Sequence, residues 1–571
     1  MNYRGITLLS CLSKLFTTIL NQRIVSYCDK YNIISDAQFG FRKGLSTTDA
    51  IFALHSLVQH YLYNNKRLYI AFVDLKKCFD SIYRNGLWFK MHKLNVDGKV
   101  LRIIRNMYEH VKSCVRQCND YSDLIEYAVG LRQGEVISPA LVSLFLEDIE
   151  MYLQEDNNSG LKLFDIVLIL ISFADDMAVL SETPEGLQSS LNRLSEYCNA
   201  WGLEVNSSKT KVMVFRKRGG LLNNESWTYK GQVLDAVDCF NYLGTVFNYT
   251  GSFNLNNEYI TGKALKALNV LMVNCKKFPL KPKLLCQLFD AFVGSILSYA
   301  SEVWGFTKAK DIERIHLKFC KRILNVPRNA CTAAVYGELG RYPLYINWYC
   351  RVIKYWCKLQ STDTIILKNV YRLCKEDYDK GNNKNWVANV KHILDNQGLS
   401  YIFSDAEYIN LKSIPHLLKQ SLIDTFLQNW FSVVDKSPVL TLYKHIKPVL
   451  EYEQYIDVLP SNLRFFITRF RISAHSLRIQ TGRYARNRLD RNLRVCQLCQ
   501  EQDVEDEFHF ILKCTLFTSL RKKYIKKNVY NKPSVFKLIE MFKTKDKQAL
   551  TNLALYLKEA SNLRISHLNQ M

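Results

Sequence analysis

The chain has 571 residues and a mass of 66.6 kDa, which exceeds a typical domain of roughly 100–200 residues and predicts three or four domains. Its composition is 48% hydrophobic and 12% aromatic, with only 11 prolines, which excludes a disordered or fibrous protein. The 77 Lys and Arg residues outnumber the 53 Asp and Glu residues and give a net charge of +24, which indicates a polyanionic partner, either nucleic acid or an acidic membrane surface.

Three features of the sequence predict an intracellular protein, in the nucleus and/or cytoplasm, without a membrane partner. The longest strongly apolar stretch, Ile166–Phe173, is far shorter than the roughly 20 residues of a membrane-spanning helix. The N-terminal residues lack the basic, apolar and small-residue regions of a secretory signal. The 17 cysteines are an odd number spread over a long chain, which fits a reducing compartment.

The first 250 residues mix strand-like and helical patterns, whereas the chain from Gly251 onward is mainly helical. The predicted elements of the first part are, in chain order, a strand at Leu68–Asp74, a helix from Ser81 to about Leu94 with Asp80 as N-cap, an apolar segment at Ile166–Ser181, a helix at Leu187–Trp201 ended by Gly202 and a strand at Lys211–Phe215. The fold class is therefore predicted to be α+β.

Three aspartates lie in or beside these apolar segments. Asp74 ends the first strand, and Asp175 and Asp176 interrupt the later one. A buried carboxylate costs several kcal/mol unless it is paired or metal-bound, and adjacent residues of a strand point to opposite faces. We therefore predict that Asp175 and Asp176 lie at the tip of a β-hairpin beside the end of the Asp74 strand. Such a group would bind two Mg²⁺ ions about 3.5–4 Å apart for phosphoryl transfer, the alternative being an ordinary turn pair and a helix cap.

Seven motifs in this order resemble the reverse transcriptase domain of non-LTR (LINE-type) retrotransposons. They are Asn2–Ser10 and Gln38–Thr47 of the fingers, Phe72–Asp80 (motif A), Gly130–Pro139 (motif B), Phe173–Asp176 (motif C), Asn206–Lys211 (motif D) and Tyr242–Gly244 (primer grip). The resemblance implies a right-hand polymerase fold, and an RNA-directed DNA polymerase that extends a DNA 3′-hydroxyl on an RNA template with deoxynucleoside triphosphates.

The resemblance also implies roles for single residues. Asp74, Asp175 and Asp176 would hold the two Mg²⁺ ions, with the Leu75 carbonyl as a further ligand. Phe79 stands where the family places an aromatic steric gate, which would exclude a 2′-hydroxyl.

Further roles follow for residues that would contact substrate. Gln133 and Gly134 would lie against the incoming base and template. The candidates for triphosphate contact are Arg42, Lys43 and Arg4, and either Lys209 or Lys211 would protonate the pyrophosphate. Tyr242, Leu243 and Gly244 would form the primer grip.

Two alternatives accompany this interpretation. An RNA-dependent RNA polymerase shares the palm chemistry but typically carries Asp at the position of Phe79 and Gly-Asp-Asp in place of Ala174-Asp175-Asp176. The second alternative is a catalytically inactive or domesticated nucleic-acid-binding remnant, because the chain begins inside the fingers motifs and is expected to be N-terminally truncated.

Two features near the C-terminus predict further binding sites. Ser461–Arg494 contains nine arginines and one aspartate, interleaved with aromatic residues, which favours contact with nucleic acid. Cys496, Cys499, His509 and Cys514 follow with the spacing of a closed Cys₃His zinc site, which predicts one structural Zn²⁺. A similar knuckle lies C-terminal to these reverse transcriptases.

The predicted organisation has five segments. They are fingers and palm at 1–250, a helical thumb at 251–345, a helical connecting region at 346–460, the arginine-rich segment and zinc knuckle at 461–520, and a basic helical tail at 521–571.

Overall fold

The computed structural model describes residues 5–154, 160–306, 309–404, 410–484 and 488–570. The chain forms two compact units. The first comprises Met1–Asn256, Ala300–Phe306 and Arg351–Leu411, and the second comprises Asn257–Tyr299, Thr307–Cys350 and Lys412–Met571.

Strands lie in the first unit, as far as the described residues show. They are β1 (Leu68–Asp74), β2 (Lys112–Ser113), β3 (Arg116–Gln117), β4 (Asp120–Tyr121), β5 (Ile125–Glu126), β6 (Leu161–Leu163), β7 (Ile166–Leu168), β8 (Leu170–Phe173), β9 (Asp176–Ser181), β10 (Lys211–Phe215), β11 (Trp227–Tyr229), β12 (Gln232–Ala236), β13 (Cys239–Tyr242) and β14 (Thr245–Asn248).

Six of these strands form the central sheet, in the order β11–β12–β10–β1–β9–β8. β1 lies in the middle and pairs antiparallel with both β9 and β10, while β10 and β12 are parallel. The residues of β1 before Asp74 are all buried, as expected for a strand covered on both faces. The sheet therefore places the end of β1, and Asp74 with it, at the centre of the unit.

The rest of the described chain is mainly helical. The α-helices are Cys11–Lys30, Thr47–Tyr63, Cys78–Ser81, Arg84–Lys93, Lys99–Glu109, Ser138–Phe145, Ile149–Gln154, Pro184–Trp201, Asn254–Cys275, Pro282–Phe289, Ser295–Leu297, Ser301–Trp304, Lys310–Leu324, Thr332–Leu339, Leu344–Gln360, Ile365–Asp379, Trp386–Asp395, Ser400–Ser404, Ile414–Lys436, Tyr443–Ile446, Tyr455–Val458, Ser461–Arg471, Arg478–Thr481, Thr518–Tyr524, Lys527–Tyr530, Val535–Lys543 and Lys547–Gln570, with π-helical turns at Asp290–Gly294 and His509–Lys513 and 3₁₀ turns at Arg491–Leu493 and Thr515–Phe517. Within the described ranges, no helix is both long and apolar enough to cross a membrane.

Two helix boundaries show where local sequence signals succeed and fail. The helix Pro184–Trp201 ends at Gly202, which has a φ of +68°, as predicted. The predicted helix from Ser81 to Leu94 is wrong at its start, because the chain forms a short helix at Cys78–Ser81 and a separate one at Arg84–Lys93. Asp80 therefore lies inside the short helix and caps neither.

The helices of Arg351–Leu411 belong to the first unit, although they lie far along the chain. Asp49, which is fully buried in the helix Thr47–Tyr63, accepts hydrogen bonds from Lys358 Nζ at 2.6 Å and Tyr355 Oη at 2.9 Å. A buried charge needs such partners, so this ion pair fixes the later segment on the helix Thr47–Tyr63.

The second unit also contains a buried ion-pair network. Arg471 is 1% exposed and binds Glu338 through Nε and Nη2, at 3.0 and 3.1 Å. Its Nη2 also lies 3.1 Å from Glu453, and its Nη1 donates to the carbonyl of Phe542 at 2.7 Å. One guanidinium thus connects four distant segments of the unit.

Candidate active site

The three aspartates meet at one end of the central sheet. Asp74 ends β1, and its partner in the antiparallel register is Asp176, the first residue of β9. Asp176 also pairs with Phe173 across the β8–β9 hairpin, so that Ala174 and Asp175 form the turn, with Ala174 at a φ of +58°. The predicted hairpin beside the end of the Asp74 strand is confirmed.

A fingers residue holds this turn in place. Gln38 is buried, and its Oε1 accepts hydrogen bonds from the backbone N–H groups of Ala174 and Gly40, both at 2.8 Å. Its Nε2 donates to the carbonyl of Ala174 at 3.2 Å. A Cβ atom on Gly40 would lie 2.3 Å from the Ala174 nitrogen, so only glycine fits there. Sequence reasoning missed this role of Gln38, since the two motifs are separated by more than a hundred residues.

A cavity of about 740 Å³ opens on one side of the aspartates. It gathers most of the residues predicted to bind nucleotide and metal, which are Asp74, Asp175, Leu75, Phe79, Gln133 and Gly134, together with Lys209. Residues from motifs A, B, C and D therefore share one wall, as the motif assignment requires.

The backbone fixes the position of Phe79 in this cavity. Its carbonyl accepts a hydrogen bond from the Leu131 N–H at 2.7 Å. A Cβ atom on Gly130, which has a φ of +83°, would lie 2.5 Å from the Asp80 carbonyl oxygen. Motif A and the start of motif B are thus in direct backbone contact.

Arg84 is a second residue that sequence reasoning missed. Its buried guanidinium donates to the backbone carbonyls of Gly130, Tyr108 and Tyr127 at 2.9 to 3.1 Å. It therefore joins the end of the helix Lys99–Glu109 to the segment that leads into Gln133. No spacing rule identifies such a residue, because its acceptors are all backbone atoms.

A second cavity of about 550 Å³ also has Asp74 in its lining. Its lining includes Asp74, Asp176, Lys209, Lys211, Tyr242 and Leu243. Leu243 and Gly244, both with positive φ, form the turn of the β13–β14 hairpin. Burial, and then the Asp176 carboxylate, raise the pKa of Tyr242 well above its ordinary value. The predicted primer-grip segment thus lies beside the aspartates.

The two candidate lysines have different surroundings. Lys209 Nζ lies 3.5 Å from Asp74 Oδ2, and the residue lines both cavities. Lys211 lines the second cavity, and its Nζ donates to Asp235 Oδ2 at 2.6 Å across the β10–β12 pair. The ammonium group at the aspartates is therefore that of Lys209.

The described residues that line the two cavities do not include Arg42 and Lys43, which are predicted to contact the triphosphate. Arg42 Nη1 donates instead to Asp36 Oδ1 at 3.0 Å and to the Ser35 carbonyl at 3.1 Å. Lys43 is exposed. A triphosphate role for both residues stays a prediction, and Arg4 lies outside the described residues.

The donor set at the aspartates suits a hard divalent cation, because it consists of carboxylates at the adjoining ends of β1 and β9. Asp175 lines the first cavity and Asp176 the second, with Asp74 lining both. Among the described residues, the groups with three or more ligand atoms within 4.8 Å of one another lie at the C-terminal knuckle. The three aspartates are not among these groups, although Asp74 shares a cavity lining with each of the other two.

The knuckle has the geometry of a closed metal site. The ligand atoms of Cys496, Cys499, His509 and Cys514 all lie within 4.8 Å of one another. The Cys496 and Cys514 sulfurs are 4.0 Å apart, and Cys499 Sγ is 3.4 Å from His509 Nε2. A tetrahedral Zn²⁺ with Zn–S bonds of about 2.3 Å separates two sulfurs by about 3.8 Å, so the site fits this ion. The hydrogen bond from Cys514 lowers the pKa of Cys496 to about 4.

Acidic residues of the knuckle connect it to the rest of the second unit. Glu505 is buried and accepts from Arg564 Nε and Nη2, at 2.6 and 2.8 Å, in the last helix. Glu507 is buried beside His475, whose Nε2 lies 2.8 Å from its Oε1. These carboxylates therefore stabilise the packing of the knuckle.

Several arginines of the segment Ser461–Arg494 bind other protein groups, which differs from the predicted contact with nucleic acid. Arg471 is buried against Glu338, and Arg494 is buried with its Nη2 on the Leu489 carbonyl at 2.7 Å. Backbone carbonyls are also bound by Arg464, Arg478 and Arg483. The interpretation is wrong for Arg471 and Arg494, because they are buried and serve as internal hydrogen-bond donors. For the partly exposed Arg464, Arg478 and Arg483 it stays a prediction.

Comparison with known proteins shows which family the first part of the chain resembles. Residues 1–247 match the family model described as reverse transcriptase (RNA-dependent DNA polymerase). The probable RNA-directed DNA polymerase from transposon BS of Drosophila melanogaster is 28% identical over 330 residues, which cover 55% of this chain and 35% of that protein. The probable RNA-directed DNA polymerase from transposon X-element of the same species is 30% identical over 327 residues, 55% of this chain and 34% of that protein.

The chain thus spans about a third of the length of these curated relatives. Among solved structures, telomerase from Candida tropicalis in complex with the TWJ fragment of telomeric RNA has a TM-score of 0.31 and 14% identity, covering 64% of this chain and 57% of that chain. The family match confirms the predicted α+β right-hand polymerase fold and the recognition of retrotransposon relatives. Residues 1–247 of this chain are therefore similar to the reverse transcriptase family.

Proposed function

We propose that this chain is an RNA-directed DNA polymerase of a retrotransposon, which adds deoxynucleotides to a DNA 3′-hydroxyl on an RNA template. The observation that carries the proposal is that Asp74 lines two cavities, one lined also by Phe79 and Gln133 and the other by Tyr242. A nucleotidyl transfer joins an incoming triphosphate to a primer end, so it needs two substrate sites that share one set of acidic ligands.

In this proposal Asp74, Asp175 and Asp176 hold two Mg²⁺ ions, with the Leu75 carbonyl as a further ligand. Bound Mg²⁺ supplies charge stabilisation for the attacking and leaving oxygens. The protein fixes the carboxylates through the paired ends of β1 and β9 and through the Gln38 contact with the turn. This rigidity supports catalysis because little reorganisation is needed when substrate binds.

Lys209 is the proposed general acid for the departing pyrophosphate. Its ammonium group lies 3.5 Å from Asp74 Oδ2 and the residue lines both cavities, whereas Lys211 is engaged by Asp235. A proton donor must lie within reach of the leaving group, so the geometry favours Lys209 of the two lysines.

Phe79 is the proposed sugar selector. It lines the first cavity with Gln133 and Gly134, and its backbone is fixed by Leu131. An aromatic ring offers no acceptor to a 2′-hydroxyl and excludes it by volume, which favours deoxynucleotides over ribonucleotides.

The knuckle is proposed to hold one structural Zn²⁺ through Cys496, Cys499, His509 and Cys514. Four sulfur and nitrogen donors leave no open coordination position in a tetrahedral site, so the ion would stabilise the fold and not react. None of the 17 cysteines, all of which are described, forms a disulfide, which supports a proposed location in the nucleus or cytoplasm.

Primer extension on poly(rA)/oligo(dT) with Mg²⁺ tests the activity. We expect incorporation of dTTP by the full chain and a loss on the order of 10³-fold in Asp175→Ala, because charge stabilisation by the metals is worth several kcal/mol. Absence of incorporation by the intact chain, or equal incorporation by the variant, would contradict the proposal. Binding of the template without extension would instead favour an inactive nucleic-acid-binding remnant.

A further inference from the structure

A second basic region follows the knuckle. Residues 521–547 contain ten Lys and Arg against two acidic residues, a net charge of +8. The arginine-rich segment has a similar net charge, but most of its described guanidinium groups bind protein atoms. The lysines of 521–547 have different surroundings.

Most of these lysines are exposed, and most of the exposed ones form no ion pair with a described residue. Those with neither burial nor an ion pair are Lys522, Lys526, Lys527, Lys532, Lys543, Lys545 and Lys547. Lysine ammonium groups close together repel one another, so a surface that keeps them close loses stability unless a polyanion binds it.

Two hydrogen bonds from one lysine link neighbouring segments of this basic region. Lys537 Nζ donates to the carbonyls of Asn528 and Lys532, at 2.6 and 2.8 Å. These bonds tie the loop after the helix Lys527–Tyr530 to the first turn of the helix Val535–Lys543. The backbone of Asn528, which follows Lys526 and Lys527, and that of Lys532 are thereby held at Lys537. The neighbouring residue, Phe536, has a side chain that is 70% exposed.

We define Lys526, Lys527, Lys532 and Phe536 as the lysine patch. We propose that its lysines bind the sugar-phosphate backbone of nucleic acid and that Phe536 stacks on an unpaired base. Exposed ammonium groups neutralise phosphates and release counterions, and an aromatic side chain beside them is the usual platform for single strands. The inference rests on the proposed function in taking nucleic acid as the substrate, and it names the surface outside the palm that contacts it.

The test is fluorescence anisotropy of the full chain with a single-stranded RNA and with duplex DNA, each measured at several salt concentrations. For the triple variant Lys526→Glu, Lys527→Glu, Lys532→Glu we expect affinity to fall by about tenfold or more at 0.1 M salt. The slope of log affinity against log salt should become shallower by about three, one for each lost phosphate contact. The neutral triple variant to Gln should give the same change in slope.

The matched control is Lys384→Glu, Lys419→Glu, Lys436→Glu, which changes the net charge equally at exposed lysines outside the patch. We expect its affinity to stay within about twofold of the wild type. An equal loss in the control would overturn the proposal, because the effect would then be one of net charge. Phe536→Ala should weaken binding of the single strand and not of the duplex, and an unchanged single-strand affinity would overturn the stacking role.

The nucleic acid, RNA or DNA, whose affinity falls in the triple variant is the one that occupies the lysine patch. If the triple variant binds both the RNA and the DNA as tightly as the wild type does, the proposed role of the lysine patch is overturned, whatever the polymerase activity of the variant. A wild-type chain that binds through the patch but does not extend a primer would overturn the proposed activity alone.

Discussion

The side chain of Gln38 bonds both backbone groups of Ala174, accepting from its N–H at 2.8 Å and donating to its carbonyl at 3.2 Å. Ala174 precedes Asp175 in the hairpin turn. A fingers residue therefore sets the position of a proposed metal ligand in the palm.

The first prediction concerns this contact. Gln38→Ala should destabilise the protein by about 2–5 kcal/mol, because it leaves the buried N–H groups of Ala174 and Gly40 without an acceptor. It should also lower kcat for primer extension. Gln59→Ala is the control, since Gln59 makes one hydrogen bond to the Gly251 carbonyl. Thermal unfolding and kcat, measured on both variants, check the prediction, and equal behaviour of the two would contradict it.

The second prediction separates the two lysines of motif D. Lys209→Gln should lower kcat on the order of 10²-fold, as expected for loss of a general acid, with a small effect on nucleotide KM. Lys211→Gln should change kcat far less, because its ammonium group is bound to Asp235. Single-turnover extension measures both rates, and the reverse order would assign the proton to Lys211.

The third prediction concerns sugar selection. Phe79→Ala should lower the ratio of kcat/KM for dTTP over UTP by about 10–100-fold, because the cavity gains room for a 2′-hydroxyl. Phe89→Ala is the control, since this ring is 53% exposed and lines neither cavity. If ribonucleotide incorporation did not change in Phe79→Ala, the residue would be a packing residue only.

The fourth prediction concerns the knuckle. The purified chain should contain one zinc per molecule, and a Cys496→Ser, Cys499→Ser variant should contain none. Loss of the ion should lower Tm, because metal binding free energy contributes directly to folding. Cys114→Ser, Cys118→Ser is the control, since both thiols are exposed and outside the metal-ligating groups. Metal analysis that finds full zinc in the first variant would refute the assignment.

The convergence of the aspartates could be predicted from the sequence because it depends on local rules. The apolar run before Asp175 and the alternation of side chains in a strand require a turn at that point. The choice between Lys209 and Lys211 could not be made, because it depends on β12, which supplies Asp235 from a different part of the chain.

The burial of the arginines could not be predicted for a related reason. Arg471 appears in the sequence as one of nine similar residues, and its partner Glu338 lies 133 residues earlier. Composition gives the number of charged residues but not whether their side chains are solvated. The arginines of a basic segment can therefore lie on the surface or act as internal hydrogen-bond donors. The fixed position of Arg351–Leu411 in the first unit likewise depends on the distant Asp49.

The network around Arg471 has a consequence for making shorter versions of this protein. A fragment that stops before Phe542 removes a carbonyl from a guanidinium that is almost inaccessible to water. A fragment that starts after Glu338 removes one of its two carboxylate partners, the other being Glu453. Loss of the Phe542 carbonyl leaves a buried N–H group without an acceptor, at a cost of about 1–3 kcal/mol. Loss of Glu338 breaks a buried ion pair, at a cost of about 3–5 kcal/mol. Expression fragments meant to retain the knuckle should therefore include both ends of this network, even though 204 residues separate them in the chain.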